Sequence, residues 1–188
     1  LIQIIEILSS KEVEELNHHI DTLNFKPNTV FGDKENPTTD TSLRSSTGCT
    51  LMEDHHLTKN LHLKMNLALD EYKERVSKIN STFEHYPVPG GYDTKSWREG
   101  IQILDYVEDQ KYTFHHDTAD QHRQEFYRTI SIILYLTNEF EGGRTIFPHK
   151  EFKPLPGQAL IFPSNWCFPH CGEIVTKGKK RVAVTWYY

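Results

Sequence analysis

The sequence predicts a mostly β domain with flanking helices (α+β), a double-stranded β-helix or jelly-roll barrel with N-terminal helices packed on one face. Three observations predict it. Helical periodicity is confined to the first half of the chain, whereas short β-branched runs separated by Gly, Pro and Asn fill the second half. The length, 188 residues with 37% hydrophobic and 12% aromatic side chains, suits a single globular domain with a sizeable core. Helices followed by a series of turn-separated strands suggest an antiparallel barrel with its helices on one face.

The elements follow in chain order. Residues 2–8 are apolar and β-branched, a short strand. Ser9 and Ser10 offer caps and Glu12 a first-turn acid for a helix reaching about residue 23, with Val13, Leu16 and Ile20 on one face. Residues 25–46 turn to Pro, Gly, Asn, Thr and Asp, a long loop of the kind that serves as a lid. Leu61, Met65, Leu69, Tyr72 and Val76 mark a longer helix over residues 57–79, and Pro89-Gly90 a turn within 88–91. Strands are then expected at 101–107, 112–116, 128–136, 145–147, 158–162 and 181–188, the third of these central. The whole chain, 1–188, reads as one domain: 1–100 as helical support and substrate loop, 101–188 as catalytic jelly-roll strands.

Composition narrows the function classes. A net charge of -5 leaves no basic footprint for nucleic acid. No apolar run has the length of a membrane span and nothing resembles a signal peptide, so the expected location is cytoplasmic; the chain begins at Leu1, which leaves room for an upstream segment. Cys49, Cys167 and Cys171 cannot all pair, which favours a reducing compartment. Cys167 and Cys171 lack the second pair that a closed zinc site would need. The oligomeric state is not encoded in any of these features.

The chemistry is concentrated late in the chain. In an H-x-D tripeptide on a strand, both side chains share a face, so His115 and Asp117 can reach one metal while His116 points away. With His170 they compose the two-histidine, one-carboxylate set of non-haem Fe(II) oxygenases. His116 with His122 is a competing pair, but its spacing fits no strand face. On the last strand Lys180, Val182, Val184 and Trp186 alternate with Arg181, Ala183, Thr185 and Tyr187. The first set reads as a barrel lining with one cation at its mouth. A buried lysine calls for an anion, and the far carboxylate of 2-oxoglutarate supplies one; Arg181 is the competing cation.

These residues sit in wider patterns. Gln102, Asp105 and Tyr106 precede Tyr112, His115 and Asp117; Arg128, Ser131, Tyr135 and Leu136 follow, then Glu141, Gly142, Gly143, Thr145, Phe147 and Pro148. Together with Arg44 in a Leu-Arg-Ser-Ser-Thr-Gly stretch, they resemble the prolyl 4-hydroxylase branch of the Fe(II)/2-oxoglutarate dioxygenases over most of the chain. The resemblance implies His115, Asp117 and His170 as iron ligands. It implies Lys180, Tyr106 and Ser131 as partners of 2-oxoglutarate, with Ser131 standing where the family has threonine. Tyr112, Arg44 and Phe168 are implied on the substrate side. The expected reaction is hydroxylation of a prolyl residue in a peptide or protein, converting 2-oxoglutarate and O2 to succinate and CO2, with ascorbate as reductant. The stretch between Phe162 and His170 is shorter than in collagen-type and plant-type enzymes and looks like compact microbial or viral members.

Three rival readings accompany this one. The substrate is alternatively a free amino acid or other small molecule. The chain is alternatively a cupin-like metal barrel that needs no 2-oxoglutarate, although such barrels usually carry H-x-H where this chain has Asp117. The third rival is a catalytically silent binding module of the same fold. The loop over 25–46, with Tyr112, is expected to close over a bound peptide.

Overall fold

Pairing in the computed structural model is antiparallel throughout and falls into three sheets; the described residues are 1–30, 38–85, 98–118 and 128–188. The large sheet has the order β1-β10-β6-β13-β4-β3-β2. Its strands are β1 (Gln3–Glu6), β2 (Lys26–Pro27), β3 (Thr47–Thr50), β4 (Gln102–Tyr106), β6 (Ile130–Tyr135), β10 (Gln158–Pro163) and β13 (Lys180–Tyr187). A second sheet, β5-β11-β8-β9, comprises β5 (Tyr112–His115), β8 (Thr145–Phe147), β9 (Lys150–Phe152) and β11 (His170–Gly172). β7 (Phe140–Gly142) and β12 (Val175–Gly178) form a separate pair. The two larger sheets line one cavity between them, in the double-stranded β-helix arrangement.

Both helices form where the periodicity predicts. α1 (Ser10–Ile20) starts at a capping box: the Ser9 backbone N–H donates to Glu12 Oε2 at 2.9 Å, and the Glu12 N–H returns to Ser9 Oγ. α2 (His56–Ser77) is capped by His55, whose ring nitrogen accepts from the Leu57 N–H. Val13, Leu16 and Ile20 of α1 and Leu61, Met65, Leu69, Tyr72 and Val76 of α2 are buried against Ile103, Ile132, Leu134, Ile161 and Ala183 of the large sheet. The helices therefore cover its outer face.

The first hundred residues do more than support the barrel. β1 pairs with β10, and β3 pairs with β4, so the amino-terminal half completes both edges of the large sheet. Residues 25–46, expected as one irregular loop, contain β2, an isolated bridge between Val30 and Thr38, and a bridge between Arg44 and Tyr112. Residues 31–37 of that loop, the turn at 88–91 and His122 lie outside the described residues. Two glycines hold positions closed to other residues. Gly142 has φ +66° and Gly178 φ +79°, and a Cβ on Gly178 would meet the Glu139 carbonyl oxygen at 2.2 Å.

β13 sets the logic of the site. Its residues are buried on both faces, and the faces differ. Lys180, Val182, Val184 and Trp186 line the cavity, as the alternation predicts. Arg181 points to the helix side, where it donates twice to Asp105, at 2.7 and 2.9 Å, and to Asp21 at 2.8 Å. Of the two competing cations, Arg181 is the one already neutralised away from the cavity. Breaking a buried pair costs about 3–5 kcal/mol. Lys179 Nζ, 2.6 Å from Asp105, remains as a second partner. Arg181→Ala is therefore expected near the lower end, about 3 kcal/mol, in chemical denaturation, with the KM for 2-oxoglutarate unchanged.

Candidate iron and cosubstrate site

Register brings the two histidines together. His170, the first residue of β11, lies directly across from His115, the last of β5. Their rings are 4.5 Å apart between centroids. Asp117 lies beyond the end of β5, so strand alternation accounts for His115 but not for the carboxylate. Asp117 is held from the other sheet instead. Its N–H donates to the Ser164 carbonyl at 3.1 Å, and Ser131 Oγ donates to Asp117 Oδ2 at 2.6 Å. Ser131 and Ser164 hydroxyls are 2.8 Å apart. Ser164, wholly buried, had no signal in the sequence.

The three side chains fit a metal. His115 Nε2 is 3.4 Å from Asp117 Oδ1, and His170 Nε2 is 3.7 Å from Oδ2. The ligand atoms of all three lie within 4.8 Å of one another. His115 Nδ1 is 2.8 Å from the Thr113 carbonyl, and His170 Nδ1 is 3.2 Å from that of Phe168. A carbonyl only accepts, so both Nδ1 atoms carry the proton and both Nε2 lone pairs are left for a cation. Burial pushes His170 down to about 4, so its ring is neutral at pH 7. Burial acts to raise the Asp117 carboxyl, but its contact with His115, the nearby His170 ring and the hydrogen bond donated by the Ser131 hydroxyl outweigh it and hold it below the usual carboxylate range. Two imidazole nitrogens and one carboxylate on one side of a point suit Fe(II).

A cavity of about 200 Å³ runs from this cluster between the sheets. Ser131 pairs with Trp186 at one end of β13, and Tyr106 pairs with Lys180 at the other. Ser131 and Tyr135 are separated by roughly 13 Å of strand at about 3.3 Å per residue, and Lys180 Nζ lies 5.1 Å from the Tyr135 ring and 5.4 Å from that of Tyr106. Lys180 is buried, and among the described residues it has no carboxylate within ion-pair distance. Burial accordingly pulls it down to about 7, partly opposed by Cys171 and Glu173 and reinforced by Lys153. Tyr135 and Thr145, whose hydroxyls are 2.7 Å apart, stand at the same end. Both belong to the sequence patterns that carry the resemblance but have no role implied there, although Tyr135 is four residues along the same face of β6 as Ser131.

Two expected roles change. Ser131 was expected to share an anion with Lys180, but its hydroxyl is committed to Asp117, because its register on β6 faces Trp186 rather than Lys180. Phe168 was expected to face substrate. Its ring instead packs against the cluster of Phe147, Phe152, Leu160 and Phe162, and its carbonyl orients His170. Tyr106, Tyr112 and Arg44 all line the cavity. The Tyr112 ring stacks on His115 at 3.7 Å, and the Arg44 guanidinium lies over Tyr112 at 4.8 Å. The three cysteines are unpaired thiols.

Ser131→Ala would test the support of Asp117. Losing a partner that orients a metal ligand typically costs 10–100-fold in affinity. Cobalt(II) titration followed by its visible absorption should show about a tenfold loss, restored by Ser131→Thr. Unchanged affinity in Ser131→Ala would leave the hydroxyl with a packing role only.

A double-stranded β-helix that gathers two histidines and a carboxylate at one end of its cavity is the architecture of the 2OG-Fe(II) oxygenases, and residues 101–188 match that superfamily. Over that stretch the chain resembles prolyl 4-hydroxylase-like 2OG-Fe(II) oxygenases. The relative named "Putative prolyl 4-hydroxylase" from Acanthamoeba polyphaga mimivirus is 38% identical over 107 residues, 47% of this chain and 44% of its own length. Prolyl 4-hydroxylase 5 of Arabidopsis thaliana is 30% identical over 123 residues, 64% of this chain and 35% of its own. The chain thus spans less than half the length of these two relatives. In fold, it resembles the viral collagen prolyl hydroxylase of Paramecium bursaria Chlorella virus-1 in its 2OG complex, with TM-score 0.67, 20% identity and coverage of 99% and 94% of the two chains. It also resembles a prolyl hydroxylase of Trichoplax adhaerens bound to a peptide of a hypoxia-inducible factor, with TM-score 0.71, 17% identity and coverage of 100% and 83%. Among the described residues no helix is long and apolar enough to cross a membrane.

Proposed function

We propose that the chain is an Fe(II)- and 2-oxoglutarate-dependent dioxygenase that hydroxylates a prolyl residue of a peptide or protein at C4, with ascorbate keeping the metal reduced. The observation that carries this reading is one cavity with His115, Asp117 and His170 gathered at one end and, at the other, a buried lysine with no acid partner among the described residues. Iron(II), held by His115, Asp117 and His170, would supply the redox chemistry that couples loss of CO2 from 2-oxoglutarate to oxidation of a C–H bond. The remaining work belongs to the protein.

Lys180 holds the far carboxylate of 2-oxoglutarate through a charge-assisted contact, with the hydroxyls of Tyr106, Tyr135 and Thr145 within the same end of the barrel. Leu104, Ile133, Val182 and Val184 supply apolar lining around it, which limits water near the reacting groups. Tyr112 fixes the His115 ring by stacking and presents an aromatic surface beside the metal, suited to a pyrrolidine ring.

The test is incubation with Fe(II), 2-oxoglutarate, ascorbate and a library of proline-containing peptides. The expected result is succinate formed in step with a mass gain of one oxygen on particular peptides. Hydroxylation of free proline alone would move the reading to a small-molecule hydroxylase. No succinate under any of these conditions would sink it.

A further inference from the structure

Every described arginine but one is matched to a carboxylate. Arg75 pairs with Glu71, Arg98 with Glu53, Arg128 with Glu99, Arg144 with Glu151 and Glu173, and Arg181 with Asp21 and Asp105. Arg44 is the exception. Its Nε donates to Ser46 Oγ at 3.3 Å and its Nη1 to the Thr29 carbonyl at 3.5 Å, both neutral acceptors, and Nη2 has no acceptor among the described residues. The remaining contact is the Tyr112 ring beneath it. The Arg44 backbone is anchored by its bridge to Tyr112, and Asn28 Nδ2 donates to the same Ser46 hydroxyl at 2.9 Å.

The site around it lacks negative charge. Arg44, Arg128 and Lys180 all line the cavity, and the one acid among its described lining residues is the metal ligand Asp117. Arg128 is satisfied twice by Glu99, at 2.5 and 2.7 Å, and is therefore spoken for. Lys180 lies deep and accounts for the cosubstrate. Arg44 is only partly buried, lines the cavity and lies one aromatic ring away from His115. A guanidinium laid over an aromatic ring with a free donor edge is suited to receive a carboxylate.

We infer that Arg44 selects substrates by a carboxylate, and that this carboxylate is an acidic side chain adjacent to the proline. This rests on the peptide reading of the same site and narrows it to acidic peptides. The test measures binding of fluorescent peptides in which the proline is flanked by Glu, Gln or Lys. The full chain is loaded with Mn(II), which does not turn over, and 2-oxoglutarate. Wild type should bind the Glu peptide about tenfold more tightly than the Gln peptide, the scale of one charge-assisted hydrogen bond at a partly exposed position. Arg44→Gln should erase the preference, Arg44→Lys keep part of it, and Arg44→Glu reverse it toward the Lys peptide. Reversal would not follow from a merely structural role. Equal binding of all three peptides by wild type, or a Glu preference that survives in Arg44→Gln, would overturn the inference. So would Arg44-dependent binding of a free amino acid with no gain from an acidic peptide side chain, which would assign Arg44 to an α-carboxylate. Wild-type succinate formation without peptide reports on the oxygenase reading separately, so failure of one is not mistaken for failure of the other.

Discussion

His170→Ala and His115→Ala should each abolish 2-oxoglutarate turnover and weaken binding of Fe(II) or cobalt(II) by more than about a hundredfold, exceeding what loss of an orienting partner costs. Each removes one of three ligands whose donor atoms lie within 4.8 Å of one another. The two variants should differ in stability. His170 is buried against Phe147 and Phe162, at 5.4 and 4.8 Å between ring centroids, so its truncation leaves a cavity. His115 is partly exposed, and His115→Ala should unfold close to wild type. Asp117→Glu, one methylene longer, should lose most turnover while the fold persists, because Ser131 and Ser164 fix the shorter carboxylate. Wild-type turnover in both alanine variants would show the ligand assignment to be wrong. Acid should act on the same cluster. Since His170 is held neutral to about 4 when folded but takes a proton near 6.5 when unfolded, the unfolded state binds more protons between those values. Stability should therefore fall as pH drops through that window, and bound metal should deepen the loss.

What the sequence makes legible follows from what periodicity reports. Alternation along 180–187 separates a cavity face from a helix face because both are buried against different partners, and that alone assigns Lys180 and Arg181 to opposite sides. The spacing of Val13, Leu16 and Ile20, and of Leu61, Met65, Leu69 and Tyr72, likewise marks one buried face per helix. Short strands carry no such mark. β3, with Gly48 and Cys49 between threonines, exists because β4 offers it a ladder, and β7, β9, β11 and β12 are equally partner-made. The ligand triad is visible because His115, Asp117 and His170 are distinctive residue types. Their support is not, because serines and carbonyls are ordinary in sequence: Ser164 positions Asp117 from a segment that only the fold brings near. Register explains the exchanged roles of Ser131 and Tyr135. Both face inward from β6, and only pairing with β13 shows which of them reaches the lysine.

Lys180→Met should raise the KM for 2-oxoglutarate at least about tenfold, since a hydrogen bond to a charged group contributes roughly 1.5–3 kcal/mol and about 1.4 kcal/mol is a decade. The pH dependence is the sharper consequence. Burial brings the empty-site Lys180 from 10.5 down to about 7, with Cys171 and Glu173 pulling it back up and Lys153 pushing it further down. A carboxylate placed beside it stabilises the ammonium and raises that value. Below about pH 7 the lysine is charged with or without cosubstrate, and affinity should be flat. Above it, binding must take up a proton, so affinity should fall by up to about tenfold per pH unit until the raised value is passed. Calorimetry at pH 8 in buffers of different ionisation enthalpy should register uptake approaching one proton per 2-oxoglutarate bound. In Lys180→Arg the guanidinium stays protonated, so the KM should lose its rise above neutrality even if its baseline shifts. The empty protein should show the opposite face of the same linkage. Its folded state has shed a proton that the unfolded chain keeps until about 10.5, so its stability should rise with pH across that interval. A wild-type KM constant from pH 6 to 9, with no proton uptake, would mean that the distal carboxylate is held by another group and that Lys180 is a barrel residue alone.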